Sequence, residues 1–307
     1  MRLALLALLL VSTARADEFS RALQDGAQAI AEQDDAPDPA AAALPDSVDL
    51  SDQWVDEARE QSPLSSCHDF AAVALLEAAH YRRTGQRLRL SEADLFARGT
   101  ALRGLRSVAV SETGLLREDL RLALRTGVLP GDFYAELVKN RRGFSRLAPL
   151  AGRERGLERL LPEAAAPEAE AARDAVRQAL APLRAGGPSF FRFLGSSLRT
   201  VVAGRAVKCR GQARRRDLVM RKLAAGIPVG AGLFLNGVQD PDLNARRDAA
   251  GGEHYVVLKG YERRGGAVSF LARNSWGERP GSRARLSESD LCSVFGLSWV
   301  QAPSDPD

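Results

Sequence analysis

From Phe70 to Ala79 nearly every position is apolar: Phe70, Ala71, Ala72, Val73, Ala74, Leu75, Leu76, Ala78 and Ala79. Ser65 and Ser66 precede the run, and Arg82, Arg83 and Gly85 follow it. This pattern predicts a helix over 66–84, buried on nearly all sides, capped by Ser65 or Ser66 and stopped by Gly85. Asp69 falls in its first turn, where the helix dipole favours an acid. A second helix is predicted over 115–126, ended by Gly127, and a third over 217–225, ended by Gly226. Residues 157–183 are rich in Ala, Glu and Arg and read as helical, interrupted by Pro162, Pro167 and Pro182. The texture then changes. Runs at 229–235, 254–261, 268–273 and 297–300, separated by Gly-rich turns, read as strands. Helices first and strands second predict an α+β architecture.

The chain begins with a different pattern. Arg2, the apolar stretch Leu3–Val11 and Ala14-Arg15-Ala16 read as a signal peptide over 1–16, too short to span a bilayer. The mature chain is expected to start at Asp17, exported to the periplasm or secreted, with no membrane anchor after cleavage. Residues 17–43 are Ala-, Asp- and Glu-rich and contain Pro37-Asp38-Pro39. They read as a short helix followed by a linker, or as a short propeptide.

Composition narrows the functional classes. The chain has 307 residues, is 45% hydrophobic and has a net charge of +4. Removing Arg2 and Arg15 leaves about +2, which does not argue for a nucleic-acid partner. Arg210, Arg214, Arg215 and Arg216 read as a solvated loop face. With three histidines and no Cys-x-x-Cys or His-Glu-x-x-His spacing, no metal site and no cofactor are expected. There is no internal repeat, phosphate-binding Gly loop or Asn-x-Ser/Thr site.

The candidate chemistry lies in three places. Cys67 follows Gln61 by six residues, His254 opens a strand pattern, and Asn274-Ser275-Trp276-Gly277 follows another. A thiol attacks a carbonyl as the thiolate and needs an imidazole to take its proton. An Asn side-chain oxygen can orient that imidazole without adding charge. A Gln amide beside the thiol can donate to an oxyanion. At a helix N-terminus, Cys67 gains further stabilisation of its thiolate.

These segments resemble the papain-like cysteine peptidases. The Gln-to-Cys spacing, Asn274-Ser275-Trp276-Gly277 and the flanking runs Tyr255–Tyr261 and Val268–Arg273 carry the likeness. Leu44–Asp49, Leu90–Leu95, Thr126–Pro130 and Gly226–Val229 add to it. It covers roughly 44–130 and 216–300. It implies a two-lobed fold over 44–307: a helical lobe at about 52–134 with the Cys-bearing helix central, and an antiparallel, barrel-like strand lobe at about 206–301. A helical insertion is expected at about 135–205, because the Cys67-to-His254 gap is 187 residues, against roughly 130–150 in the family. The resemblance implies an exported thiol peptidase acting on protein or peptide substrates through a covalent acyl-enzyme. Cys67 would be the nucleophile, His254 the base, Asn274 its orienter, Gln61 an oxyanion donor and Trp276 a shield.

The departures are local. Leu64 stands where the family has a disulfide cysteine, Ser65 replaces a Gly, and His68 replaces the aromatic after the nucleophile. They motivate an inert relative that uses the fold for binding. A thiol amidase or transferase acting on another amide is the third reading. With Cys67 assigned, Cys209 and Cys292 remain, either paired in an oxidising compartment or unlinked and buried.

Overall fold

A computed structural model describes residues 43–56, 59–61, 66–104, 116–131, 166–186, 188–192, 212–244, 253–277, 284–302 and 305. The expected signal peptide, the linker up to residue 42, and Cys209 lie outside the described residues.

In chain order the elements are β1 (Ser47–Asp49), α1 (Cys67–Thr84), α2 (Glu92–Gly104), α3 (Leu116–Thr126), α4 (Ala166–Leu180), α5 (Leu183–Gly186), β2 (Pro188–Arg192), α6 (Gln212–Ala224), β3 (Val229–Phe234), α7 (Pro241–Asn244), β4 (Glu253–Arg264), β5 (Ala267–Arg273), β6 (Arg285–Ser287) and β7 (Val294–Val300). The pairings are antiparallel, in the order β2-β7-β3-β4-β5-β6, with β1 added against β4. The fold is α+β, as the sequence predicts.

Two apolar cores meet along β4. Successive strand residues point to opposite faces. Val257 packs with Leu75, Leu76, Leu120 and Leu180 in the helical core. Val256 and Leu258 pack with Phe270, Leu286 and Trp276 in the other core. His254 shares the Val256 and Leu258 face by the same alternation. Helix α1 runs through this seam, and fourteen consecutive residues from Cys67 to His80 are buried. Gly85 ends it in a left-handed conformation, its N–H donating to Tyr81 O at 2.7 Å. Gly260 lets β1 lie close to β4, since a Cβ there would stand 2.1 Å from Val48 O.

Several expectations change. α6 begins at Gln212, five residues before the predicted 217, because four consecutive polar positions hide its period. The basic run is therefore partly helical and only partly solvated. Arg214 is exposed, but Arg215 is buried and donates to Leu291 O at 2.9 Å. Arg216 pairs with Asp217 and Glu288. Arg210 lies outside the described residues.

The segment expected as a helical insertion, 135–205, is described only over 166–186 and 188–192. There it contains a strand as well as helices: β2 pairs with β7 from Pro188 opposite Val300 to Arg192 opposite Gly296. Val176, Leu180 and Leu183 are buried in the helical core. This described part is integrated with both layers rather than lying outside them.

Candidate active site

Cys67 is the first residue of α1, with Ser66 before it as N-cap. The cap is made by the backbone. Asp69 N–H and Phe70 N–H donate to Ser66 O at 2.9 and 3.2 Å, while the Ser66 hydroxyl makes no cap bond. Cys67 is a free cysteine and is 8% exposed. Burial pushes its thiol up to about 12; the Tyr255 backbone N–H pulls the other way, and the nearby Asp69 carboxylate adds to the rise.

His254 is buried near the start of β4. Its Nε2 lies 2.7 Å from Asn274 Oδ1. Ser275 N–H donates to the same oxygen at 2.8 Å, which fixes the orientation of the Asn amide. An amide oxygen only accepts, so Nε2 carries the imidazole proton and Nδ1 presents a lone pair. That Nδ1 is buried and makes no hydrogen bond. The ring stacks on Trp276, with centroids 4.7 Å apart and planes at 26°. Burial pushes the imidazole down to about 4, with the Asn274 bond opposing. The resting pair is therefore a neutral thiol and a neutral imidazole, one proton between them.

Gln61 is brought to the same place by a backbone seam. Its N–H donates to Ser275 O at 2.8 Å, Glu60 bridges Trp276, and Gly277 N–H donates to Arg59 O at 2.8 Å. The Ser275 hydroxyl donates to Gln61 Oε1. Gly277 takes a φ of 66°, which a Cβ would strain, and that turn keeps the seam closed. The structure thus gathers Gln61, Asn274, His254 and Trp276 into one cluster. Cys67 is brought to it through the Tyr255 backbone.

A buried ionic network supports the cluster from below, and the sequence reading missed it. Arg59 pairs with Asp56 and Glu77 at 3.0 Å each, and with Glu92. Arg273, next to Asn274, pairs with Asp56 at 3.0 Å and lies over the Trp54 ring. Glu77 also accepts from Leu90 N–H at 2.8 Å. Its signal was a carboxylate, Glu77, inside the apolar run Phe70–Ala79, where burial calls for a cation.

His68 turns away from the cluster. Its Nδ1 lies 2.6 Å from Asp119 Oδ2 and 3.3 Å from Asp69 Oδ2. Among the described residues these three are the group with ligand atoms close enough for a metal ion, within 4.8 Å of one another. The His68–Asp119 hydrogen bond accounts for that closeness without an ion.

His254 gives the fold a pH dependence of definite sign. Unfolded imidazole titrates near 6.5, whereas the folded ring resists protonation until about 4. Between these values the unfolded chain binds more protons. The stability present above pH 6.5 is therefore lost as pH falls toward 4, by up to about 3 kcal/mol. Urea midpoints of wild type and His254→Gln, compared from pH 7 to 4, should converge by that amount. Parallel profiles would refute it.

Comparison with known proteins bears on the fold. The profile described as papain family cysteine protease matches residues 44–100. No curated protein matches the chain. Among solved structures, xylellain, a cysteine protease from Xylella fastidiosa, superposes with a TM-score of 0.51 at 16% identity, covering 87% of this chain and 90% of that one. The bromelain protease from Ananas comosus, in complex with the E64 inhibitor, gives 0.48 at 16% identity, covering 84% and 100%. The ragweed pollen cysteine protease Amb a 11, in its proform, gives 0.49 at 19% identity, covering 87% and 70%. The fold assignment rests on the first of these three. The chain has the papain-like fold, and its resemblance to the papain family of cysteine proteases runs through residues 44–100, the stretch that holds Gln61 and Cys67.

Proposed function

We propose that the protein is an exported thiol peptidase that hydrolyses peptide bonds through Cys67, His254, Asn274 and Gln61. The observation that carries this reading is the state of His254. Asn274 holds Nε2, Trp276 covers the ring, and the basic Nδ1 is left unbonded beside the segment whose next backbone N–H meets the Cys67 thiol.

In this reading Nδ1 takes the Sγ proton as the sulfur attacks the substrate carbonyl carbon. The oxyanion accepts from the Cys67 N–H and the Gln61 side-chain amide. Collapse breaks the C–N bond, and the amine leaves with the proton from His254. Water, deprotonated by His254, then attacks the thioester. The C–S bond breaks, the acid product leaves, and the thiol is restored. Asn274 keeps the imidazole in the tautomer that accepts at Nδ1.

Digestion of a mixed peptide library, followed by mass spectrometry, tests the reaction type. New amino and carboxyl termini support peptide hydrolysis. Amide products with no peptide cleavage would favour an amidase or transferase. The inert-relative reading draws on one observation: Cys67 and His254 are both buried and not hydrogen-bonded to each other. Absence of any turnover would favour it.

The domain division, the signal peptide over 1–16 and the Cys209–Cys292 disulfide belong to the same proposal. Cys292 is buried and is not among the free thiols, and among the described residues no helix is long and apolar enough to cross a membrane. Non-reducing peptide mapping should join Cys209 to Cys292. Closing so long a loop stabilises by about 4 kcal/mol in the chain-entropy view. Two alkylatable thiols besides Cys67 would refute the pairing.

A further inference from the structure

We infer that Phe295 is a specificity-determining residue: a bulge in β7 turns its ring over Gly232, close to His254, where it floors a shallow aromatic subsite that takes small apolar side chains of a peptide and turns away bulky ones. The inference deepens the peptidase reading and rests on it for the identity of the ligand. On β3, Gly232 faces Gly296 of β7, and the next residue, Leu233, faces Val294. Phe295 is thus the extra residue of a bulge, with no opposite number on β3, and a bulge re-aims the side chain it carries. Val294 and Leu297 point into the strand-lobe core. The Phe295 ring goes to the other face. It lies so close to Gly232 that a Cβ there would stand 2.5 Å from its Cε2 and Cζ, and 3.0 Å from Tyr255 Cε1. Tyr255 is opposite Gly232 on β4, and Phe234 follows two residues along β3 on the same face. Phe295 and Phe234 have ring centroids 4.8 Å apart, and Phe295 meets Tyr255 edge-on at 5.5 Å. All three rings are half-buried.

This patch stands where the two layers part. On the same face two residues earlier, a Cβ on Gly230 would meet Leu116 Cδ2 of α3 at 2.6 Å and Leu75 Cδ1 of α1 at 3.0 Å. Val257 of β4 packs with Leu75 in the helical core. At Gly232 the nearest atoms belong to Phe295 and Tyr255 instead of a helix, and by Glu253, opposite Phe234, the strand is exposed. The candidate site adjoins this edge. His254 pairs with Leu233, between Gly232 and Phe234. Tyr255 lines one cavity with Phe70 and Ala71 from the start of α1 and with Asn274 and Ser275. Aromatic surface half in water gains when an apolar side chain covers it. The glycine alone would leave a deeper pocket, and the Phe295 ring fills it. A pocket without room for further methylenes discriminates by size.

The test reads cleavage by the full-length chain of peptide libraries randomised in turn at each position near the scissile bond. At one such position wild type should favour Ala and Val over Leu and Phe. Phe295→Ala should raise kcat/KM for Leu and Phe there, relative to Ala, by at least about tenfold, and leave the other positions unchanged. Should Phe295→Ala fail to fold, Phe295→Leu decides: it removes the ring, keeps an apolar side chain on the bulge, and should shift the same position the same way. A folded variant with the wild-type size preference at every position would overturn the inference. Binding of the same peptides to Cys67→Ser protein, measured by calorimetry, separates this from the peptidase reading. Peptides that bind with a size preference set by Phe295, but are not cleaved by wild type, overturn the peptidase reading alone. Cleavage with a preference that the Phe295 variants do not move overturns the subsite alone. Neither binding nor cleavage overturns both.

Discussion

His254→Ala is expected to lower kcat/KM by at least about a thousandfold, with the fold retained. The size follows from what is lost. Without Nδ1, no other described residue of the cluster offers a base for the thiol proton, and burial pushes the Cys67 thiol up to about 12. The same proton is needed later by the leaving amine, so two steps fail together. Trp276 remains buried among Leu286, Phe270 and Val256, so the strand lobe should survive the loss of the ring. Wild-type activity should fall at low pH, because the doubly protonated pair is not competent. Its acid limb should lie near the point where His254 takes a second proton, about 4. Steady-state rates on a cleaved peptide from pH 3.5 to 9, with circular dichroism as a control for folding, check both statements. A folded His254→Ala protein with more than about a tenth of wild-type kcat/KM would exclude His254 as the base.

The second large effect lies beneath the site. Glu77→Ala should destabilise the protein by about 3–5 kcal/mol. Glu77 is buried on α1, receives Arg59 Nη2 at 3.0 Å and accepts the Leu90 N–H at 2.8 Å. Its truncation leaves a guanidinium and a backbone N–H in the interior without their carboxylate, and it opens a cavity in the seam. Glu92 and Asp56 stay on Arg59 and offset part of the charge. Glu77→Gln keeps an acceptor for Leu90 and the volume, so it should lose less. Urea unfolding gives the order: wild type above Glu77→Gln above Glu77→Ala. Equal stability of wild type and Glu77→Ala would mean that the network does not hold the seam. Arg59 sits two residues before Gln61 and Arg273 one before Asn274, so the loss should also loosen the cluster above.

What the sequence discloses about this fold depends on how local the signal is. Helix α1 was legible because a nearly continuous apolar run, Phe70–Ala79, is followed six residues later by Gly85. Gln61, Cys67, His254, Asn274 and Trp276 stood out as candidates because each sits in or beside a short motif, and they lie around one strand and one helix terminus. β2 was not. It begins at Pro188, behind Gly186 and Gly187, inside the segment expected as a helical insertion, and its partner β7 lies about a hundred residues on. Its strand character comes from that pairing rather than from its own period. β1 and β6, with three residues each, are too short to show alternation.

The charged groups were hidden for a similar reason. Arg215 and Glu77 are buried because distant partners meet them, Leu291 O in one case and Arg59 in the other. His68 read as a bare departure from a motif. Its meaning depends on Asp119, fifty-one residues away on another helix. Polar residues whose role is to satisfy one another across the fold leave little trace in a linear pattern.

The central claim is that Cys67 is a nucleophile activated by His254. Its most direct test is covalent labelling by a thiol-directed peptidyl epoxide, read by intact mass and peptide mapping on the processed protein. The account expects one equivalent of label, on Cys67, formed by wild type and lost in both Cys67→Ala and His254→Ala. Processed, folded wild-type protein that takes no label, or takes it elsewhere than Cys67, would contradict the account.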